Sequence, residues 1–413
     1  MNVLVSAYSC DPQSGGEGAI GFFWAYETMR LGNQVWCLCQ PSDQAAIEAY
    51  LLAHPVPPGA RFEPVYVAVP AWARYGQRWQ AGVYLHYLAW QQQAWQQARQ
   101  LCQQVAFDYV HHASFGSLQL GTRLWQLPVP LVFGPVSGGQ RAPRAFRQYL
   151  PGWFQTETLR DAIGWLLLAA EGSGRRAVRR AALTLAANSD TAALIRRLGG
   201  PAPELLVDSG LPAGLVPAAC PTHPPGPTLR LLWLARLFPR KALPVVLDAL
   251  SQVAPRVPFH LTVIGDGPLA SRLPGWLAHY NLEGRVTWRG AVPWHEVQAA
   301  MLGHDAFIFG SLRDAFAMQQ LEAMAAGLPL ITLDHQGAHD FIPAAAAYKV
   351  PVTTPAETTA ALARAVEHCY DHPEARARMG QAGHAYALSQ TWAARAQWLQ
   401  QRVQQLLGAA VPA

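Results

Sequence analysis

The chain opens on MNVLVSAY, an apolar run of strand length, followed by the glycine-rich SGGEGAIG. The helix-period segment FFWAYETMRLG comes next, stops at a glycine, and gives way to a second apolar run, QVWCLCQ. This order predicts a βαβ unit with a right-handed crossover. RFEPVYVAV predicts another strand, HYLAWQQQAWQQARQLCQQV a long helix, and FDYVHHAS a strand running into a loop. Trp90, Trp95 and Leu101 recur at helical spacing, so they are read as a packing stripe and not as a functional aromatic box. VPLVFGPVSGG and LTLAANSD complete the strands of the first half. PAPELLVDSGLPAGLVPAACPTHPPGPT then loses periodicity in favour of proline and glycine, as a linker does.

The pattern restarts at LRLLWLARL, and strand-like runs (FHLTVIGDGP, RVTWRGAV, DAFIFGS, LPLITLDHQG) alternate with helical ones (LPVVLDALSQVA, ASRLPGWLAHYNL, HEVQAAMLGH, AFAMQQLEAMAAG). The fold class is α/β, with two Rossmann-like, doubly wound domains. They are expected at 1–205 and 206–385, with 386–413 forming a closing helix that packs back across the boundary. A length of 413 residues agrees, because one core stops growing near roughly 250 to 300 residues. Open parallel sheets bind ligands beyond the carboxyl ends of their strands, which places the expected site in a crevice between the domains.

Composition narrows the function. Hydrophobic residues make up 51% of the chain, yet no apolar run approaches the roughly 20 residues that span a bilayer. The opening segment lacks the basic head and cleavage site of a signal peptide, so the expected location is cytoplasmic. The six cysteines are scattered with no metal-ligand spacing, so no metal or other cofactor is expected; Cys37 and Cys39 read as core. The net charge is +5, and the segment Arg141 to Arg180 carries eight arginines against Glu157, Asp161 and Glu171. Together with Trp153, Phe154 and GWLLLAA this suits an anionic membrane surface or a phosphorylated acceptor, and it equally describes a solvated helical face. The basic residues follow no nucleic-acid-binding motif, and no nucleic-acid partner is expected.

Two segments carry candidate chemistry. In LARLFPRKALPVVLDAL a strand ends near Arg236 and Lys241 precedes a helix, which sets two cations beside a helix amino terminus, as a diphosphate requires. Lys241 is one of only two lysines in the chain, against 31 basic residues. In SLRDAFAMQQLEAMAAGLPLITLDHQG, Asp314 stands at a strand mouth and Glu322 lies eight residues later within the next helix. Just over two turns separate them, so both carboxylates can face one cleft and accept hydrogen bonds from neighbouring hydroxyls.

On these residues the second half resembles the retaining glycosyltransferases of the GT-B fold, family 4. It shares an acid followed after seven residues by Glu, the AMAAGLP helix end, the ARL...K turn and the GDGP turn from Gly265 to Pro268. MNVLVSAYSCDPQSGGEGAIGFFWA and VHHASFGSLQLGTRLWQLPVPLVFGPVSGG resemble the amino-terminal, acceptor-binding domain of a branch related to polysaccharide and cell-envelope transferases. The resemblance implies a donor diphosphate held by Arg236 and Lys241, and a ribose held by Glu322. It places the sugar beside Asp314 and the amides of Ala315, Phe316 and Ala317. Gly15, Gly16 and Gly265 would approach the donor, and His112, or its neighbour His111, would lie near the sugar. Arg236, Lys241, Asp314 and His112 form the expected catalytic set, and Glu17, His111, Gly138 and Gly139 the expected acceptor contacts. The implied partners are a nucleotide sugar with uridine or guanosine and a glycan or lipid-linked acceptor. Asp314 stands where the family carries Glu, and Ala235 and Ala242 stand where glycines are common. An epimerase or phosphorylase on the same fold, or a catalytically weak membrane-associated binding protein, are the rival readings.

Overall fold

The computed structural model describes residues 1–74, 80–169 and 172–409. The chain forms two compact units: residues 1–139, 163–210 and 392–413 make the first, and residues 140–162 and 211–391 the second.

In the first unit, β1 (Asn2–Ser6), β2 (Gln34–Cys39), β3 (Arg61–Tyr66), β4 (Tyr109–His112), β5 (Leu131–Val136), β6 (Leu183–Ala186) and β7 (Glu204–Leu205) form one parallel sheet in the order β3-β2-β1-β4-β5-β6-β7. Its central strands are buried at nearly every position because helices cover both faces, so the alternation of buried and exposed positions disappears. Trp90 is fully buried on one face, with Trp95 and Leu101 packed against the same cluster; Cys37 and Cys39 lie in the core of the other face.

The second unit repeats the plan with β8 (Leu229–Leu234), β9 (Phe259–Ile264), β10 (Val286–Trp288), β11 (Ala306–Phe309), β12 (Leu330–Asp334) and β13 (Ala347–Pro351), in the order β10-β9-β8-β11-β12-β13. Both sheets reverse direction of winding once, between β1 and β4 and between β8 and β11. At such a switch point the loops leave to opposite faces and open a crevice beyond the strand ends.

Three boundaries differ from the sequence reading. The first unit does not end at residue 205, because the Leu206 N–H still donates to the Ala186 carbonyl and Trp24 Nε1 to the Asp208 carbonyl, and the unit runs to Gly210. The closing helix, Trp392–Ala409, starts six residues later than expected and lies in the first unit. There Trp392 stacks on Phe23 and meets Trp24 edge-on, and Gln400 accepts a hydrogen bond from Asn33 at 2.6 Å. The third difference bears on the site: residues 140–162 belong to the second unit, into which they bury Phe146, Tyr149 and Leu150.

The basic segment Arg141 to Arg180 is therefore not one body. Arg141 and Arg160 lie in the second unit and both pair with Asp161, while Arg175, Arg176, Arg179 and Arg180 sit on the helix Ser173–Arg180 of the first. Within it, Glu171 lies outside the described residues.

Candidate active site

β8 ends at Leu234, and the following turn lies directly against the end of β9. That approach requires Gly265, since a Cβ there would stand 1.9 Å from the Ala235 carbonyl oxygen and its φ is 128°. The turn presents Arg236 to solvent with its guanidinium 4.5 Å from the centre of the Phe238 ring, a cation–π contact that orients a charge without neutralising it. A short 3-10 turn, Pro239–Lys241, follows, and Ala242 then takes a left-handed conformation (φ 46°, ψ 45°) to start the helix Leu243–Val253. Alanine resists that conformation by about 1–2 kcal/mol. The strain is borne at the residue that aims Lys241 inward.

Lys241 is only 7% exposed. Its ammonium donates to the Asp314 carboxylate and stands 5.3 Å from the centre of the Phe309 ring at the end of β11. Arg240 approaches the other Asp314 oxygen at 3.6 Å, and the Ser311 hydroxyl lies 3.3 Å from the carboxylate. Burial pulls the Lys241 pKa below its ordinary value even against the pull of Asp314. Burial also disfavours the Asp314 carboxylate, but the Lys241 and Arg240 charges outweigh it and hold its pKa below the usual carboxylate value.

The backbone around Asp314 is fixed as tightly as its side chain. The Asp314 N–H donates to Gln336 Oε1 at 2.7 Å, and Gln336 Nε2 donates to the Arg141 carbonyl at 2.9 Å. Arg313 makes a two-pronged ion pair with Glu157, with contacts of 2.7 and 3.1 Å. Gly337 packs so closely on the loop that a Cβ would lie 1.8 Å from the Ala315 carbonyl. These contacts keep Ala315, Phe316 and Ala317 out of the helix expected to begin at Ala315. The helix runs Met318–Ala325, with Ala317 as its extended cap. Ser311, Asp314, Phe316, Ala317, His335 and Gln336 line a small recess at these strand ends.

Glu322 lies on that helix, half-buried, and its carboxylate has no hydrogen bond or ion pair among the described residues. Desolvation by the surrounding protein pushes its pKa up to about 7. Such a group gains from a ligand that brings two hydroxyl donors, because they replace the water it has lost.

The candidates of the first unit have a different fate. His111 and His112, at the end of β4, are 0% and 1% exposed. The His111 Nε2 bonds to the Gly134 carbonyl at 2.7 Å, and the His112 Nε2 lies 3.4 Å from the Tyr87 hydroxyl. Burial drives their pKa values down to about 4 and about 3, so both rings are neutral. Gly139 presses on the Asp190 carbonyl, 2.4 Å from where a Cβ would be, and its N–H donates to Thr191; the Gly138 carbonyl accepts from Gln119. Gly15 and Gly16 are exposed in the loop after β1, with no neighbour near either Cβ position. The side chain of Glu17 lies outside the described residues.

Of the expected residues, then, the fold brings Lys241 and Asp314 into direct contact and places Glu322 on the helix beyond them. Arg236 projects separately from the same turn as Lys241. Arg240, Gln336 and Glu157 were not singled out from sequence. Arg240 is legible only as the neighbour of Lys241, and Gln336 only as part of the DHQG loop; nothing local marks Glu157. Among the described residues no group of three His, Cys, Asp or Glu could hold a metal ion.

Residues 223–386 match the family model described as glycosyl transferases group 1. The match lies within the second unit. The match covers the Lys241, Asp314 and Glu322 positions together. WcaL of Salmonella typhimurium, named for a glycosyltransferase of colanic acid biosynthesis, is 32% identical over 127 residues, which is 29% of this chain and 31% of WcaL. The amylovoran biosynthesis glycosyltransferase AmsK of Erwinia amylovora is 32% identical over 121 residues, 28% of this chain and 30% of AmsK. The chain thus spans about a third of the length of the curated relatives it matches. Likeness of fold extends much further. The lipopolysaccharide outer core galactosyltransferase WaaB superposes with a TM-score of 0.65 at 14% identity, covering 98% of this chain and 99% of that one. Anabaena HepE, solved in complex with UDP and glucose, gives 0.63 at 17% identity over 98% of this chain and 100% of its own. These structures share the two-domain α/β architecture of GT-B glycosyltransferases.

Proposed function

We propose that this group 1 glycosyltransferase chain moves a sugar from a nucleoside diphosphate donor to a hydroxyl of a glycan or lipid-linked glycan, with retention at the anomeric carbon and without a metal. The observation that carries this reading is the charge cluster at the ends of β8 and β11. There Lys241, Arg240 and the exposed Arg236 gather positive charge where a diphosphate leaving group would form, and the unpartnered Glu322 lies on the helix beyond Asp314. A diphosphate would take Lys241 from Asp314, freeing the carboxylate for sugar hydroxyls. As the bond from the anomeric carbon to the phosphate oxygen breaks, the electron pair passes to the phosphate, and these cations stabilise it. The acceptor oxygen then bonds to the anomeric carbon on the same face and gives its proton to the departing phosphate. Gly15, Gly16, Gly265 and the Ala315 to Ala317 backbone complete the donor contacts in this reading. That HepE was solved with UDP and with UDP-glucose favours a uridine donor.

A thermal-shift screen against UDP, GDP, UDP-glucose and GDP-mannose tests the reading, since a specific ligand raises apparent stability by mass action. Stabilisation by at least one nucleotide sugar is expected, along with slow donor hydrolysis that disappears in Lys241→Ala. A screen in which no nucleotide stabilises the chain would sink it.

The acceptor side is proposed to work at an anionic membrane face of the cytoplasm. No helix among the described residues is long and apolar enough to cross a membrane, but Ile163, Leu166 (62% exposed) and Leu167 line one uncovered apolar side of the helix Leu159–Ala169, and Trp165 (67%) is exposed on the adjoining side. The next helix, Ser173–Arg180, carries four arginines whose charge complements lipid phosphates. Co-sedimentation with phosphatidylglycerol vesicles is expected, weakening in high salt and in Trp165→Ser. Binding indifferent to lipid charge would remove this part of the proposal.

A further inference from the structure

Resting on the reading above, the structure assigns Glu157 a role in the sugar-binding half of the site: we propose that it is a positioning residue for Asp314, acting through Arg313. Glu157 lies in a π-helical turn, Phe154–Thr158, on a segment far from Asp314 in sequence yet part of the same unit. Single π turns recur at functional sites. Its carboxylate is 3% exposed and meets the Arg313 guanidinium through both oxygens, with Arg160 a further 4.0 Å away.

An ion pair this deep is a poor way to gain stability, because removing two charges from water costs about as much as their attraction returns. It is an effective way to fix a geometry, since the guanidinium fork admits one orientation of the carboxylate. The residue so fixed is the immediate neighbour of Asp314. The same segment sends a second tether, the Arg141 carbonyl, which holds Gln336 while Gln336 receives the Asp314 N–H. The Asp314 side chain is short, so its reach depends on where its backbone is placed. Residues 140–162 supply that placement from outside the strand-and-helix framework that carries the donor cations.

The test separates sugar from diphosphate. Full-length chain is titrated calorimetrically with UDP and UDP-glucose, and with GDP and GDP-mannose, and the ratio of the two Kd values is compared between wild type and Glu157→Gln. Diphosphate affinity should stay within about twofold, because Arg236 and Lys241 are untouched, while the preference for the nucleotide sugar should fall about tenfold, as loss of a charged hydrogen bond would cause. In the Asp314→Asn background Glu157→Gln should add nothing further, since the two act on one interaction. A role confined to folding would lower melting temperature without moving the ratio. If Glu157→Gln does not fold, Arg313→Lys, which keeps the charge and loses the fork, is read in the same way. A wild-type chain that shows no sugar preference overturns the functional reading beneath the proposal; a preference that survives both variants, or additive losses in the Asp314→Asn background, overturns the role of Glu157 alone.

Discussion

Each unit ends its central strands in loops rich in glycine and polar residues, but the two spend those residues differently. In the first, His111 is tied to Gly134, Gly138 to Gln119, and Gly139 is wedged against Asp190. In the second, Arg236 is held by the face of Phe238, the Glu322 carboxylate has lost water without gaining a partner among the described residues, and Lys241 and Asp314 are paired with each other where a ligand can compete. A glycine or histidine at a strand end can thus be consumed by packing, whereas a desolvated charge held by another charge remains available to a ligand. Substitutions in the two places should separate stability from affinity.

The largest effect is expected where both meet. Asp314→Asn keeps the shape of the side chain but leaves the buried Lys241 ammonium with no anion, at a cost of about 3 kcal/mol in folding stability. It should also abolish transfer. Urea unfolding and a donor-turnover assay measure the two losses, and a fully active, fully stable variant would break the comparison at its centre. Next comes Gly139→Ala, whose Cβ would overlap the Asp190 carbonyl; a loss of about 2 kcal/mol is expected with donor Kd unchanged. A change in affinity without a change in stability would mean that this glycine serves a ligand after all. Arg236→Ala should do the reverse. Folding should move by less than about 0.5 kcal/mol because the residue is exposed, while UDP binding weakens by about 2 kcal/mol through loss of a charged hydrogen bond.

These contrasts also mark what the sequence discloses. The two sheets were legible because both-face burial writes strands as unbroken apolar runs, and the restart at Leu229 marks the second unit. Lys241, Asp314 and Glu322 were legible because a short turn and a single helix fix them relative to their strands. Glu157 was not, since it is brought to Arg313 by a segment that crosses from one unit's sequence to the other's core, and no local spacing encodes that. Nor does a strand-end pair such as His111 and His112 disclose that both rings are enclosed by aromatic neighbours, Trp24 and Phe133. Ala242 shows the converse, a departure visible in sequence whose meaning is conformational. Replacing it with glycine should stabilise the fold by about 1 kcal/mol by relieving the left-handed alanine, while loosening the turn that aims Lys241. A higher melting temperature with slightly weaker UDP binding is the expected pair of results.

The smallest effect concerns protonation of Glu322, and its sign follows from its environment. A carboxyl raised to about 7 in the folded chain and near 4.5 when unfolded favours the protonated native state, so its contribution to stability is full below pH 4.5 and fades as pH rises through 7. Ligand binding should run the other way. Two ribose hydroxyls donate more strongly to the ionised carboxylate than to the protonated group, so binding favours release of part of the proton that burial had retained. Affinity for UDP-glucose, which has no group of its own titrating near neutrality, should therefore rise about threefold from pH 6 to pH 8. Calorimetry in buffers of different ionisation heat would register the released proton directly. Glu322→Gln should bind with a flat pH profile, and a slope that persists in that variant would assign the proton to another group and leave Glu322 with a structural part only.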